Sequence, residues 1–240
     1  MRFVDIHSHI LPSVDDGAKS IEESLKLLSA LHEQGVTDVF LTPHFYPHIM
    51  SGEDFLEARE KSYKMLTDAV LGKELPNLYL GCELYYFDRM GAVGDIKPFT
   101  LGDSHYLLLE LEMAAVSNIV IETLEGICEM GYIPIFAHIE RYLGCRGIKR
   151  ILKLIKDGKC MAQVNAAAIL SFGNKKIFKL IKKGYIHIIG SDTHSLEERP
   201  PYMDEALRKI AQNCGEEQRD ILIENSHKLW EKIFGEQDEK

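Results

Sequence analysis

Gly35-Val36-Thr37-Asp38-Val39-Phe40-Leu41-Thr42-Pro43-His44, residues 35–44, carries the pattern that organises the chain. Gly35 supplies the left-handed position that ends a helix. Val36–Leu41 is an apolar run of strand length, and it stops at Thr42-Pro43 with a histidine directly behind. Upstream, Ser20-Ile21-Glu22-Glu23 forms a capping box, with the Ser20 oxygen for the Glu23 amide. Ile21, Leu25, Leu28 and Leu31 then follow at helical spacing on one face. Helix, glycine, apolar strand and polar strand end make one unit.

The unit recurs along the chain. Phe3–Ile6 runs into His7-Ser8-His9, and a helix over 52–70 precedes Leu78–Cys82, which meets Glu83. Tyr106–Leu109 meets Glu110. Ser117 caps a helix closed by Gly131, and Ile133–Ala137 meets His138. A helix over Ile148–Lys156 leads to the strand Cys160–Val164 and Asn165. A short helix opened by Asn174 leads to Ile186–Ile189 and then Gly190-Ser191-Asp192-Thr193-His194. Seven strands that alternate with helices predict a parallel α/β sheet, and their lack of strict alternation fits strands buried on both faces. A doubly wound open sheet would suit the order, but no glycine-rich dinucleotide loop follows Ile6. The expectation is a distorted (β/α)7 barrel, a TIM-like form whose strand C-termini converge on one mouth. Two further helices, about Met203–Asn213 and Glu216–Ser226, finish a single domain spanning 1–240, with C-terminal helices over 202–235.

Composition removes several classes. The 240 residues carry 28 Lys and Arg against 37 Asp and Glu, a net charge of −9, so no basic field offers itself to nucleic acid phosphates. No apolar run approaches the roughly 18 residues that would span a bilayer, so no membrane insertion is expected. Five cysteines, Cys82, Cys128, Cys145, Cys160 and Cys214, are widely spaced and include no C-x-x-C. That is the usage of reduced thiols in a cytoplasmic protein.

The strand ends hold the chemistry: His7 and His9, His44, Glu83, Glu110, His138, Asn165, then Asp192 and His194. Six of seven carry an imidazole or a carboxylate, and a barrel would gather them in one cavity. So many ionisable groups at close quarters need a compensating cation. Mixed nitrogen and oxygen donors suit manganese, iron or zinc, and the number of donors predicts two to three divalent ions. Taken singly, each motif has a plainer reading: His7-Ser8-His9 as a turn, Glu83 or Glu110 as a salt-bridge partner, Asp192 as an N-cap. The joint placement at strand ends overrides those readings. His32, His48, His105, His187 and His227 lie elsewhere and are read as structural or surface residues.

Arg141 and Arg199 follow strand ends closely enough to overhang the mouth, where a guanidinium can take two phosphate oxygens. Pairing with Glu140, Glu197 or Glu198 is the alternative. The helical stretches Arg146–Lys159 and Lys175–Lys183 carry rows of Lys and Arg, read as the solvated outer face of barrel helices, with docking of an acidic protein tail as the second reading.

His7-Ser8-His9 with Asp15-Asp16-Gly17, Thr42-Pro43-His44, Cys82-Glu83-Leu84-Tyr85-Tyr86, Leu109-Glu110, His138-Ile139-Glu140-Arg141-Tyr142 and Ser191-Asp192-Thr193-His194 with Arg199-Pro200-Pro201 resemble the PHP superfamily. Within it they are similar to the metal-dependent bacterial tyrosine phosphatases of the CpsB/CapC/YwqE type, with blocks in the same order from residue 5 to 201. The resemblance implies a trinuclear centre, usually manganese. His7, His9, Glu83 and Asp192 would hold one ion, and Glu83 would bridge to a second, shared with Glu110 and His138. Asp16, His44 and His194 would hold the third, with Asp15 as the substitute for Asp16. Arg141 and Arg199 would grip phosphate. The resemblance also implies a partner, the phosphotyrosine tail of a bacterial autokinase that governs capsule or exopolysaccharide synthesis. The loop Phe45-Tyr46-Pro47-His48 departs from the family pattern beside the expected substrate position.

The expected activity is phosphomonoester hydrolysis by activated water, with the arginines stabilising the phosphoryl oxygens. No cysteine lies in the C-x5-R loop of thiol-based tyrosine phosphatases. The rivals are a small-molecule phosphatase of the same superfamily, such as histidinol phosphatase, and a metal-binding regulatory protein without turnover. A nuclease or proofreading module fits the acidic charge poorly.

Overall fold

A computed structural model describes residues 2–88, 90, 95–113 and 115–235. Among these residues nine strands form two parallel sheets. One holds β1 (Val4–Asp5), β2 (Asp38–Leu41) and β4 (Asn77–Leu80), and the other β3 (His44–Phe45), β5 (Glu83–Tyr85), β6 (Tyr106–Glu110), β7 (Ile133–Phe136), β8 (Met161–Asn165) and β9 (Ile188–Gly190). β2 continues into β3 across Thr42-Pro43, and β4 into β5 across Gly81-Cys82, so the nine segments are seven barrel strands. Pro43 has no N–H for the ladder and breaks the first pair. Arg59, buried on helix α2 (Gly52–Val70), holds the second break by donating to Gly81 O at 3.2 Å and Pro98 O at 2.9 Å. The strand expected over Leu78–Cys82 therefore stops at Leu80, and Glu83, expected just past it, opens β5 instead.

The barrel closes between its first and last strands without a full ladder. A bridge joins Ser8 to Thr193, the His9 N–H donates to Thr193 O at 2.9 Å, and the Asp192 N–H donates to His7 O at 2.8 Å. Buried Asp5 adds a side-chain stitch, because its Oδ1 accepts the N–H groups of His7 (3.2 Å) and Ser191 (3.0 Å). These bonds satisfy backbone donors that would otherwise be orphaned at the seam.

Val4, Ile6, Phe40, Leu108, Ile135, Ala137 and Ile188 fill the interior, and the second face of the strands packs under helices such as α1 (Ile21–Glu33) and α3 (Asn118–Glu129). Ser20 and Ser117 cap these two helices as the sequence indicates. α4 (Ile148–Lys156) and α6 (Lys175–Lys182) match their expected spans, whereas the short α5 (Ala166–Leu170) is an addition. After α7 (Met203–Cys214), the last helix, α8, runs unbroken over Glu216–Phe234, through Ser226 and within the 202–235 expected for the C-terminal helices. Ser226 interrupts the apolar periodicity only because its hydroxyl accepts the buried Val4 N–H at 3.3 Å. Beyond it Leu229 and Ile233 plug the base of the barrel. Gly102, at φ 62°, lets the chain pass under this plug, since a Cβ there would lie 2.8 Å from the Phe234 ring.

Candidate metal centre

His7 and His9 follow β1 with the two-residue spacing of extended chain, so both rings turn into the mouth while Ser8 faces its neighbours. Ser8 donates through its hydroxyl to Phe40 O at 2.8 Å and through its N–H to Thr42 Oγ1 at 3.0 Å. His138 and Asp192 sit just past β7 and β9 with φ of 34° and 51°. Non-glycine residues held in the left-handed region are uncommon and gather where surrounding structure dictates the position of a side chain. Gly190 permits the same crowding, since a Cβ there would meet Gln163 Nε2 at 2.7 Å and His7 Cβ at 2.9 Å.

Four ligand-type atoms converge at the centre. His7 Nε2 lies 3.1 Å from His9 Nε2, 3.1 Å from Glu83 Oε2 and 3.4 Å from Asp192 Oδ1, and His9 Nε2 lies 3.3 Å from each carboxylate oxygen. Donors about 2.0–2.2 Å from one metal ion stand roughly 3–3.5 Å apart. Beside this set, His138 Nε2 is 2.8 Å from Glu83 Oε1 and 3.4 Å from Glu110 Oε1, so the two Glu83 oxygens face two groups of donors. Toward solvent, Asp16 Oδ1 lies 3.3 Å from His194 Nε2 and 3.7 Å from His44 Nε2. His44 also turns Nδ1 to within 2.9 Å of Glu83 Oε2, and thus spans two of the groups expected to be separate.

Hydrogen bonds behind the rings determine which nitrogen faces inward. His194 Nδ1 is 3.0 Å from the carbonyl oxygen of Asp192, which can only accept, so Nδ1 carries the proton and Nε2 a lone pair. His9 Nδ1 donates to Asp15 Oδ2 at 2.6 Å. Gln163 Oε1 accepts from the His138 N–H at 2.7 Å and from His7 Nδ1 at 3.3 Å. Gln163 then donates to Asn165 at 2.8 Å, and Asn165 donates to Asp192 Oδ2 at 2.5 Å. Such outer partners fix ring orientation and raise ligand basicity. Asp15 spends its remaining capacity on the N–H groups of Gly17 and His44, which leaves Asp16, 65% exposed, as the acid facing His194. Gln163 and its role were not anticipated from sequence. The available signal was a polar side chain inside the apolar run Met161-Ala162-Gln163-Val164.

The arrangement demands positive charge. Burial disfavours protonation of His7 and His9, yet Glu83 and Asp192 beside His7, and Asp15 beside His9, outweigh it and push both upward. Burial likewise opposes ionisation of Glu83, and His7, His138 and His44 overcome it to hold the carboxyl well below its usual range. Protons cannot satisfy the whole cluster, because Nε2–H groups on His7 and His9 would point at each other across 3.1 Å. His44 Nδ1, Glu83 Oε2, Glu110 Oε2 and His194 Nε2 are buried and lack hydrogen-bond partners. Unsatisfied buried groups are costly, and lone pairs gathered around common points are the donor set a divalent cation takes. The residues fit a metal centre.

Arg141 and Arg199 lie at the rim, 34% and 37% exposed. Arg141 reaches Glu110 Oε1 at 3.3 Å and Asp192 Oδ2 at 3.2 Å, and Arg199 reaches the same Asp192 oxygen at 2.6 Å. Both arginines pair with site carboxylates, rather than with Glu140, Glu197 or Glu198, among the described ion pairs. On the opposite rim Tyr46 packs 5.1 Å from His44 and 5.3 Å from Tyr85, with His48 5.9 Å from both tyrosines. Two clefts meet at Asp16. One, of about 450 Å³, is lined by Lys19, His194 and Arg199, and the other, of about 280 Å³, by His44, Tyr46, Ile49 and Met50.

A family model described as capsular polysaccharide synthesis, CpsB/CapC, matches residues 3–231. The chain belongs to the CpsB/CapC family. Tyrosine-protein phosphatase CpsB of Streptococcus pneumoniae is 32% identical over 243 residues, covering 94% of this chain and 97% of the relative. Tyrosine-protein phosphatase YwqE of Bacillus subtilis is 25% identical, covering 94% and 91%. A crystal structure from work on YwqE and the pneumococcal CpsB, described as metal-dependent tyrosine phosphatases, superposes with a TM-score of 0.79 at 26% identity, over 95% of this chain and 94% of that one. The phosphotriesterase homology protein of Escherichia coli shares the fold at 12% identity and a TM-score of 0.56, over 94% and 98%. The CpsB/CapC membership agrees with the resemblance stated above, and the barrel with the expectation drawn from the strand order.

Proposed function

We propose that this CpsB/CapC protein is a metal-dependent protein-tyrosine phosphatase that acts on the tyrosine-phosphorylated tail of a bacterial autokinase controlling capsule or exopolysaccharide synthesis. The observation that carries it is the convergence of buried, unpartnered imidazole and carboxylate atoms beneath two rim arginines. His7, His9, Glu83 and Asp192 would hold one divalent ion, Glu83, Glu110 and His138 a second, and Asp16, His44 and His194 a third. Manganese suits this donor set, as iron or zinc would. Bound there, the ions would supply an activated water and neutralise phosphate charge.

The chain's own groups do the rest. Arg141 and Arg199 take phosphoryl oxygens and stabilise the charge that builds on them, an electrostatic rather than an acid–base role. Asp15, Gln163 and Asn165 keep the ligand atoms aimed inward, so little reorganisation is needed when substrate arrives. Tyr46, Tyr85 and His48 give an aryl group a surface to pack on. A phenolate leaving group, with a pKa of about 10, needs less protonation than an alkoxide. The clefts beside Asp16 suit a side chain presented on a peptide better than a small molecule held in a closed chamber. A cytoplasmic, single-domain enzyme over residues 1–240 accords with this role, and no helix among the described residues is long and apolar enough to cross a membrane.

The test is phosphate release by metal-stripped protein with Mn²⁺ restored, from a phosphotyrosine peptide and from histidinol phosphate in parallel. Preferential turnover of the peptide is expected. Preferential turnover of histidinol phosphate would move the activity to small molecules, and full turnover in excess chelator would remove the metal mechanism.

A further inference from the structure

The cations of this acidic protein are segregated. Residues 146–183 carry eleven Lys and Arg and one acid, Asp157. Within that stretch two helices repeat one pattern: Lys149-Arg150-Ile151-Leu152-Lys153-Leu154-Ile155-Lys156 on α4 and Lys175-Lys176-Ile177-Phe178-Lys179-Leu180-Ile181-Lys182 on α6. At about 100° per residue the basic positions fall on one face of each helix, while Ile151, Leu154 and Ile155, and Ile177, Phe178 and Ile181, are buried on the other. α4 follows β7 and α6 follows β8, and β7, β8 and β9 are consecutive in the barrel wall, so the two basic faces are neighbours on its outer surface. Lys149, Lys153, Lys156, Lys175, Lys176, Lys179, Lys182 and Lys183 are all exposed. Among the described residues no acid lies within ion-pair distance of the five α6-region lysines, and on α4 Lys153 pairs with Asp157.

A second observation comes from the chain between these helices. Phe172, in Ser171-Phe172-Gly173, is fully exposed, more than any other large apolar side chain described. Nothing in the packing needs an aromatic ring there. We infer that α4, α6 and the Phe172 tip form a surface that docks the enzyme on an anionic lipid bilayer. The lysine faces meet the headgroup charge, and the phenyl ring leaves water at the headgroup–acyl boundary. A soluble polyanion would satisfy the lysines and give Phe172 no apolar medium. An acidic protein segment could lie in the open cleft of about 490 Å³ that Lys175, Lys179, Lys182 and Lys183 line, but it would leave Phe172 in water and the α4 face unused. The docking is peripheral, with no helix entering the membrane.

The experiment uses the full chain with metal and sediments it with vesicles of phosphatidylcholine alone or mixed with phosphatidylglycerol. Binding is expected only with the mixed vesicles. The double charge reversal Lys179→Glu/Lys182→Glu should weaken it by about tenfold or more, and Phe172→Ser by a smaller factor. Both variants should keep the wild-type thermal midpoint and the turnover of a soluble phosphotyrosine peptide. In a separate variant, Phe172→Trp, the added tryptophan emission should shift to the blue on mixed vesicles and stay unshifted with polyglutamate. No sedimentation with mixed vesicles, equal sedimentation with neutral ones, or wild-type binding by Phe172→Ser would each overturn the inference. A blue shift with polyglutamate alone would do so in favour of an acidic protein partner.

Discussion

Two buried carboxylates at opposite ends of the barrel show how differently the ends are built. Asp38, at the base, is completely buried and accepts from Arg2 at 2.7 Å, Asn77 at 3.1 Å, Tyr79 at 3.0 Å and Thr37 at 2.6 Å. Glu83, at the mouth, is just as buried, yet its Oε2 lacks any hydrogen bond and faces imidazole nitrogens. The base is closed further by Leu229 and Ile233 and by Trp230, which lies under the Arg2 guanidinium at 4.1 Å. One end, the base, satisfies its carboxylate and fills its volume, leaving Trp230 Nε1 and His227 Nδ1 of α8 without a hydrogen bond but no unpaired charge, which is how a fold gains stability. The other keeps lone pairs uncommitted, and that is useful only if something else arrives to use them. Substitutions at the two ends should therefore separate metal binding and turnover from stability.

The sharpest separation is expected at Glu83. Glu83→Gln keeps the shape and removes the charge shared by the donor groups. It should lower metal-dependent turnover by more than the roughly 10–100-fold typical of outer partners. The rise in thermal midpoint that Mn²⁺ gives the wild type, by binding only the folded state, should disappear. A variant that still gains stability from Mn²⁺ and turns over normally would remove Glu83 from the centre. The converse change is Leu229→Ala at the base. Deleting a buried leucine side chain costs about 2–5 kcal/mol, measured by denaturant unfolding, with turnover at 25 °C unchanged. Loss of activity in the folded variant would show that the two ends are coupled.

Two smaller effects divide the mouth itself. Arg199→Ala should reduce kcat by about 10²–10³-fold, the scale of losing one charge-stabilising donor, while bound metal measured by mass spectrometry stays at the wild-type level. Normal kinetics would end its proposed role. Gln163→Leu should act in the opposite sense on the two readouts. It frees His7 Nδ1 and the His138 N–H together, so metal affinity should fall by about 10–100-fold, and excess Mn²⁺ should restore most of the turnover. Unchanged affinity would make Gln163 a packing residue.

The barrel and the strand-end groups were readable because both follow from local pattern. An apolar run between a helix-ending glycine and a polar residue needs no knowledge of its neighbours, and a parallel barrel carries every such end to one mouth. Strand boundaries were less readable. The ladder of β2 starts at Asp38 rather than Val36, and the Leu78–Cys82 run pairs only as far as Leu80 before Glu83 opens the next strand, since pairing depends on the neighbouring strand and on Arg59 from another element. Asp15 and Asp16 could not be separated in sequence because both are acids in one turn. Only the position of the His9 ring, six residues earlier, distinguishes them. Gln163 and the Tyr46–Tyr85 contact share that dependence on residues far away in the chain. The continuity of α8 through Ser226 was less readable for a related reason, since Ser226 looks like an interruption until Val4 is placed against it.

His187 offers the finest test of the contrast, because it is a histidine at the base of the barrel. It precedes β9, and its Nδ1 accepts the Ala162 N–H at 3.1 Å, while its own N–H donates to Ala162 O at 2.9 Å. Nδ1 is thus committed as an acceptor, and a proton there would set one N–H against another. Burial lowers the affinity of this imidazole for a proton from the ordinary 6.5. With the folded-state value below the unfolded one, the unfolded chain binds more protons in the interval between them. The contribution of His187 to stability is therefore complete above about pH 6.5 and is lost as pH falls through the folded value. The mouth histidines are common to the wild type and to His187→Gln, so the difference between the two unfolding profiles isolates His187. That difference should be largest near neutral pH and shrink as the pH falls below about 6.5. Parallel profiles would mean that the ring is not held as an acceptor, and the base would then be less completely satisfied than its hydrogen bonds indicate.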